Sequence, residues 1–364
     1  MKNTFGSSVA VTLFGESHGE AIGAVLDGMA PGIPVDEAYI ARRMALRQGA
    51  AALSTKRREP DRVRIVSGVR DGVTTGTPIT LLIENTDTKS ADYGKMRTAV
   101  RPGHADYTAA CKYHGFADER GGGHFSGRIT AGLVAAGAIA LSALFAKGIH
   151  IGTHMASVAN VRDRGFLDYA ADIATLNESD LAVLDPEAGE GMRAAILAAR
   201  DAGDSVGGIL ETAVIGLPAG VGEPWFDTLE GVLAHALFSI PAVKGVEFGD
   251  GFALAAMRGS EANDPFTMVG GEVRTETNRA GGILGGITSG MPLIIRSAIK
   301  PTPSIYLAQK TVDLAEGRDV TLQIAGRHDP CIVHRARVVA DSVVALALCD
   351  MLALRFGTDW LRAE

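Results

Sequence analysis

Cysteine is nearly missing from this chain. Among 364 residues there are three, Cys111, Cys331 and Cys349, an odd number with wide spacing and no CxxC pair. That pattern argues against a disulfide framework or a zinc cluster, so no metal site is expected, and a reducing cytoplasm is the expected location. Positive charge is also scarce overall. The net charge of -7 argues against a general nucleic-acid partner, although local basic clusters remain. No secretory leader is read at the N-terminus: Lys2 precedes a short apolar run, Val9 to Phe14, that Glu16 breaks. One long apolar run exists, Ile129 to Ala146, but its alanine, glycine, serine and threonine content makes it a weak membrane span, and no membrane association is expected. The usual phosphate motifs are missing as well. There is no GxxxxGK[ST] loop, and no GxGxxG follows a strand, so neither a P-loop nor a Rossmann dinucleotide site is supported.

Glycine is what the chain has in excess, 45 of 364 residues. The usual share is about 7%, so tight turns and backbone lying close to a ligand are expected. The richest stretch is Gly121-Gly122-Gly123-His124-Phe125-Ser126-Gly127-Arg128, which runs directly into the apolar segment Ile129–Ala146. This reads as an anion- or cofactor-gripping loop on the N-terminus of a helix buried all round, with Ser126 as N-cap. Lys147-Gly148 supplies the stop.

The remaining chain reads in order around that loop. Val9–Phe14 is a strand ending in Gly15-Glu16-Ser17-His18-Gly19. By letter this matches a G-x-S-x-G nucleophile elbow, yet too little chain precedes it for the sheet and oxyanion loop a hydrolase needs. The alternatives are a site that uses Ser17 and His18, or a plain surface turn. Asp36–Leu46 has helical spacing, with acids at its start and arginines at its end. Lys56, Arg57, Arg58, Arg62 and Arg64 form either a solvated basic face or an anion site. Val63–Val69 and Ile79–Ile83 read as strands, with Pro78 at a strand start or an edge. Arg101-Pro102-Gly103-His104-Ala105-Asp106 is a rigid turn that displays a histidine suited to proton transfer. Residues 160–204 form a peripheral excursion with one or two helices, either covering the core or building an oligomer contact. Strand character returns at Ile209–Ile215, and glycine-punctuated loops follow at Ser239–Gly249, Asn278–Gly290, Lys300–Ser304 and Gly326–Cys331. Val338–Phe356 is a second apolar helix, with Asp341 and Asp350 inside it. The two apolar helices are expected to form a packed centre flanked by sheet, and the loops to converge on one large anionic, phosphorylated ligand.

The ordered set of these motifs resembles the chorismate synthase family, and the resemblance spans residues 15 to 330. It rests on Gly15–Gly19, Arg57–Asp61, Arg101–Asp106, the triple glycine with Ser126 and Arg128, Ser239–Gly249, Ala280–Gly290, Lys300-Pro301-Thr302 and Gly326-Arg327-His328-Asp329-Pro330. It implies an α+β fold, a single large domain over 1–364 with a helical core sandwiched between antiparallel β-sheets, assembled as a homotetramer. It implies a lyase that takes 5-enolpyruvylshikimate 3-phosphate to chorismate and phosphate by 1,4-anti elimination, using reduced FMN, with NADPH as a candidate reductant. By resemblance, His18 protonates the reduced flavin, His104 protonates the departing phosphate, and Asp329 assists deprotonation, with Ser17 and Ser126 supporting the proton network. The flavin-contact positions it implies are His124, Phe125, Ser126, Pro241, Ala242, Gly285, Lys300, Pro301, Thr302, Pro303, Ser304 and Arg327. The substrate-anion candidates are Arg47, Arg101, Arg128 and Arg335. The commoner family pattern has Arg-Ser-Ser after the triple glycine, whereas this chain has His124-Phe125-Ser126. It also has Ile129 in place of a glutamate, and Gln48-Gly49-Ala50-Ala51-Ala52 in place of an arginine- and proline-rich run. His334 stands where a proline or small apolar residue is common.

Overall fold

The computed structural model describes residues 2–49, 53, 61–86, 98–324 and 328–362. Two five-stranded antiparallel sheets enclose a layer of helices. The N-terminal sheet has the spatial order Thr4–Phe5, Ala10–Gly15, Ala21–Asp27, Ile79–Glu84, Val63–Ser67. The C-terminal sheet runs Val243–Phe248, Leu293–Ile299, Gly208–Ile215, His150–Val158, Val161–Arg162. Buried and less buried positions alternate along Ile79–Glu84 and Leu293–Ile299, so each sheet turns one apolar face inward.

The central helix, Thr130–Ala146, packs on the N-terminal sheet, and the C-terminal helix, Val333–Phe356, packs on the C-terminal one. The two also pack on each other. Glycine sets both contacts of the central helix. A Cβ at Gly132 would lie 2.8 Å from the Gly23 carbonyl oxygen, and one at Gly137 would lie 2.2 Å from the Ser342 Cβ. By length and composition the helical stretch Gly127–Ala146 could cross a membrane, but its apolar surface is taken up by the protein's own core.

The C-terminal helix starts at Val333, earlier than the apolar pattern predicts, because its first turns carry His334, Arg335 and Arg337. These polar groups have partners. Arg337 is buried and donates to the Leu176 and Ser179 carbonyls. Asp341, fully buried, accepts from Arg43 Nη2 at 2.5 Å and Thr153 Oγ1 at 2.5 Å, tying Glu37–Gln48 and a sheet strand to the helix. Asp350 accepts the backbone N–H groups of Ser7, Ser8 and Val9. Buried carboxylates survive in an apolar helix only with such complete bonding.

One sequence expectation changes here. The Gly15–Gly19 segment is a turn between two antiparallel neighbours, not a strand-to-helix elbow, and Ser17 has no exposed surface. A nucleophile elbow must present its hydroxyl, so the hydrolase reading fails. Pro78 stands at a strand start, the first of its two alternatives, and Ile79–Glu84 is an interior strand. The excursion does contain two helices, Tyr169–Glu178 and Pro186–Asp201, capped by Asp168 and Asp185.

Candidate active site

The triple glycine is required by its conformation and by its neighbours. Gly121, Gly122 and Gly123 have φ of 59°, 89° and 53°, which L side chains rarely adopt. A Cβ on Gly121 would lie 2.1 Å from His18 Cε1, and one on Gly122 would lie 3.2 Å from His104 Cε1. The loop therefore runs between two histidines that the sequence separates by 86 residues (104 minus 18). Ser17 N–H donates to the Gly123 carbonyl at 3.1 Å, and Ser17 Oγ lies 2.8 Å from His18 Nδ1. His124 Nδ1 donates to the Gly15 carbonyl at 2.8 Å, which fixes the proton on that nitrogen. Ser126 caps the short 3₁₀ turn Gly127–Ile129 by accepting from Arg128 N–H, and the central helix continues from that turn.

Beside this loop opens a cavity of about 910 Å³. That is near the upper end of the ~300–1,000 Å³ range usual for small-molecule pockets. The start of the central helix lines it through Gly127, Arg128, Ile129 and Thr130. Among the described residues, its lining carries Lys2, Arg47, Arg128, Lys244, Lys300 and Arg335 against Asp61 and Asp329. An acidic protein thus concentrates positive charge at a helix N-terminus, a setting that favours an anion.

Asp61 organises the arginines. It accepts from Arg47 Nη2 at 2.9 Å and from Arg128 Nη1, and all three side chains are buried. Burial works to raise the Asp61 carboxyl, but the charges of Arg47 and Arg128 outweigh it and hold it below its ordinary value. Burial pushes Arg47 down to about 10; Asp61 opposes the shift, while Arg335 and Arg128 add to it. The cluster therefore holds more positive charge than its own carboxylates neutralise. Arg335 pairs with Asp329 and donates from Nε to the Arg47 carbonyl at 3.0 Å.

Most of the sequence-predicted residues come together here. Ser126, His104, Asp329, His124, Phe125, Pro241, Ala242, Lys300, Thr302, Pro303, Ser304, Arg47, Arg128 and Arg335 all line the cavity. Ala242 holds a φ of 75°, a strained conformation of the kind that gathers at functional sites. Ser17 and His18 are buried behind the glycine loop and do not line the cavity. Pro301 lies outside the lining, and Gly285 stands apart in the small hairpin Ile283–Leu284 with Ile287–Thr288. Arg101 also lies off the lining, forked onto Asp106. Arg327 and the basic residues Lys56, Arg57 and Arg58 fall outside the described residues. Asp61, Lys2, Lys244 and His235 were not singled out from the sequence. Asp61 had a signal, a carboxylate ending the Arg57–Asp61 motif; Lys2 and His235 had none.

Two antiparallel sheets around a helical layer, with a cation-rich cavity where the buried helix begins, define an α+β sandwich whose cavity suits an anionic small molecule. A family model of chorismate synthase matches residues 9–353. The chain is 47% identical over 350 residues to a chorismate synthase of Thermococcus kodakarensis, covering 96% of this chain and 97% of that one. It is 48% identical over 359 residues to one of Dehalococcoides mccartyi, covering 98% of each. A crystal structure of chorismate synthase superposes with a TM-score of 0.77 at 29% identity, over 97% of this chain and 94% of that one. The chain belongs to the chorismate synthase family and is an enzyme, a lyase.

Proposed function

We propose that the chain converts 5-enolpyruvylshikimate 3-phosphate into chorismate and inorganic phosphate by 1,4-anti elimination, the last step of the shikimate pathway, and that it requires reduced FMN. The observation that carries this reading is one cavity that joins an arginine cluster to His104 and Asp329 at a helix N-terminus. Arg47, Arg128 and Arg335 bind the substrate's anionic groups, because guanidinium forks match carboxylate and phosphate geometry. His104 delivers a proton to the departing phosphate. Asp329, held by Arg335, stands ready as the proton acceptor of the site.

The residues present fit a flavin. Lys300, Thr302, Ser304 and His124 supply polar contacts, and Phe125, Pro241, Ala242 and Ile332 supply apolar wall. Reduced FMN, when bound, supplies electron density beside the breaking bond and a ring nitrogen able to take a proton. Ser17 and His18 act from behind the glycine loop, which keeps them out of bulk water. Assembly into a homotetramer belongs to the same reading, and the exposed rings of Trp225, Phe226 and Phe252 offer apolar surface for contacts between copies. Cytoplasmic residence also belongs to it.

An anaerobic assay with photoreduced FMN tests the proposal. Chorismate absorbance and phosphate release are expected only when FMN is reduced. NADPH added with oxidised FMN reads whether the chain reduces its own flavin. Tight FMN binding with no product under photoreduction would leave a binding protein and overturn the enzyme reading.

A further inference from the structure

The turn that carries His104 holds a second, unexploited device. Asp106 begins the helix Asp106–Tyr113 and is saturated with donors. Its Oδ2 accepts from Arg101 N–H at 3.0 Å and Arg101 Nε at 2.7 Å. Its Oδ1 accepts from Arg101 Nη2 at 2.7 Å and lies 2.7 Å from His104 Nδ1. Two lone pairs do not approach so closely, so Nδ1 carries a proton and donates to Asp106 in both charge states of the ring. Arg101 Nη2, 3.0 Å from the same nitrogen, is then a neighbour and not a donor to it. That leaves Nε2 as the atom that exchanges protons; it lies beside Gly122, and His104 lines the cavity.

We infer that Asp106 and Arg101 are opposed positioning residues for His104: Asp106 fixes the proton on Nδ1 and stabilises the imidazolium, and Arg101 tempers that carboxylate by forking onto it. Arg101 therefore serves the histidine rather than the substrate. Burial would raise the Asp106 carboxyl, but the bonds from Arg101 and His104 outweigh it and hold it far below the usual carboxylate range, so it stays an anion wherever the enzyme works. Among the described residues Lys300, from the chain opposite, also reaches the turn, and its ammonium donates to the Gly103 carbonyl. Gly122 of the glycine loop lies against the ring, and Gly121 lies against His18.

The role assigned to His104 rests on the proposed elimination, so the test reads the ring as well as turnover. The ring's own titration is followed by NMR, assigned by its loss in His104→Gln, and it needs no catalysis. Asp106→Asn removes the anion and is expected to move the midpoint to lower pH. Arg101→Gln removes the tempering cation and is expected to move it to higher pH. With substrate, Asp106→Asn is expected to lower kcat by up to about 10²-fold, the lower bound for a positioned proton donor, with KM little changed. The alkaline limb of the kcat profile should follow the ring in each variant. Opposite shifts support the device; a packing role gives none. Shifts of the same sign, or no shift, overturn it. If Asp106→Asn does not fold, Arg101→Gln decides alone by the presence or absence of an upward shift. An inactive wild type with both NMR shifts intact would sink the proposed function and leave this inference standing.

Discussion

Two of the histidines, His154 and His104, are held by carboxylates and come to opposite ends. His154 has no exposed surface, with Nδ1 2.8 Å from Asp163 Oδ2 and Nε2 3.2 Å from Glu211 Oε1. Asp163 also accepts backbone N–H groups of Arg164, Leu184 and Asp185, and so anchors the 160–204 excursion to the strand His150–Val158. His104 is held by one nitrogen, while its Nε2 has no protein partner among the described residues, and the residue lines the cavity. Both rings are oriented by an anion. A ring with both nitrogens bonded is a rivet; a ring with one nitrogen unspent can move protons. Bond inventory separates the two better than residue type or burial does.

The largest effect expected from that difference is on turnover. His104→Ala should lower it by about 10²–10⁴-fold, the usual contribution of a positioned proton donor, with FMN affinity nearly unchanged. His154→Ala should leave turnover per folded molecule within a few-fold of wild type. Steady-state assays under anaerobic, photoreduced conditions compare the two, and a His154 variant as inactive as the His104 variant would erase the distinction.

Gly122→Ala sharpens the same point without touching a titratable group. Its Cβ would crowd the His104 ring at 3.2 Å, and the φ of 89° adds strain. Displacing the unspent nitrogen should lower kcat by about 10- to 100-fold. Wild-type kcat in a folded Gly122→Ala protein would show that the loop does not position the ring.

On the stability side the order reverses. Asp163→Ala removes one partner of a buried charge pair and strands three backbone donors, so a loss of about 3–5 kcal/mol is expected in chemical denaturation. Asp106→Asn should cost much less, because Asp106 is only partly buried. Equal losses would mean that the turn at His104 is as structural as the anchor at His154.

The contrast also explains what could be read from the sequence. The central helix was legible because an apolar, small-residue run buried on all sides has no other stable home. The start of the C-terminal helix was not, since His334, Arg335 and Arg337 break the apolar pattern, and Arg337 is satisfied by the distant Leu176 carbonyl. Loop chemistry at Arg101–Asp106 and Gly121–Arg128 was visible as residue types, and most of it converges on one cavity. What was invisible was the bonding. Arg101 was read as a substrate cation, and its fork is closed on Asp106; Asp61 was given no role, and two arginines meet on it. His154 drew no attention at all, because its carboxylates arrive from 9 and 57 residues away.

The smallest predicted effect concerns the pH dependence of the rivet. Burial would lower His154, but the bonds to Asp163 and Glu211 outweigh it, and the ring titrates above its ordinary value of about 6.5. A proton held more tightly in the folded state contributes stability that is complete below the unfolded value and is lost as pH rises through the folded one. Asp163 works in the other direction. Burial raises it, but its bonds, the one from His154 first, lower it further, so its contribution is present above about 4 and fades only in acid. Between pH 5.5 and 9 the contribution of His154 falls while that of Asp163 stays constant. Wild type and His154→Gln should therefore differ most in Tm near pH 5.5, and the gap should narrow towards pH 9 by on the order of 1–2 °C. Thermal melts at three or four pH values read this directly. A gap that is flat or widens with pH would mean that the buried ring is neutral in the folded protein, and that its two carboxylates do not share its charge.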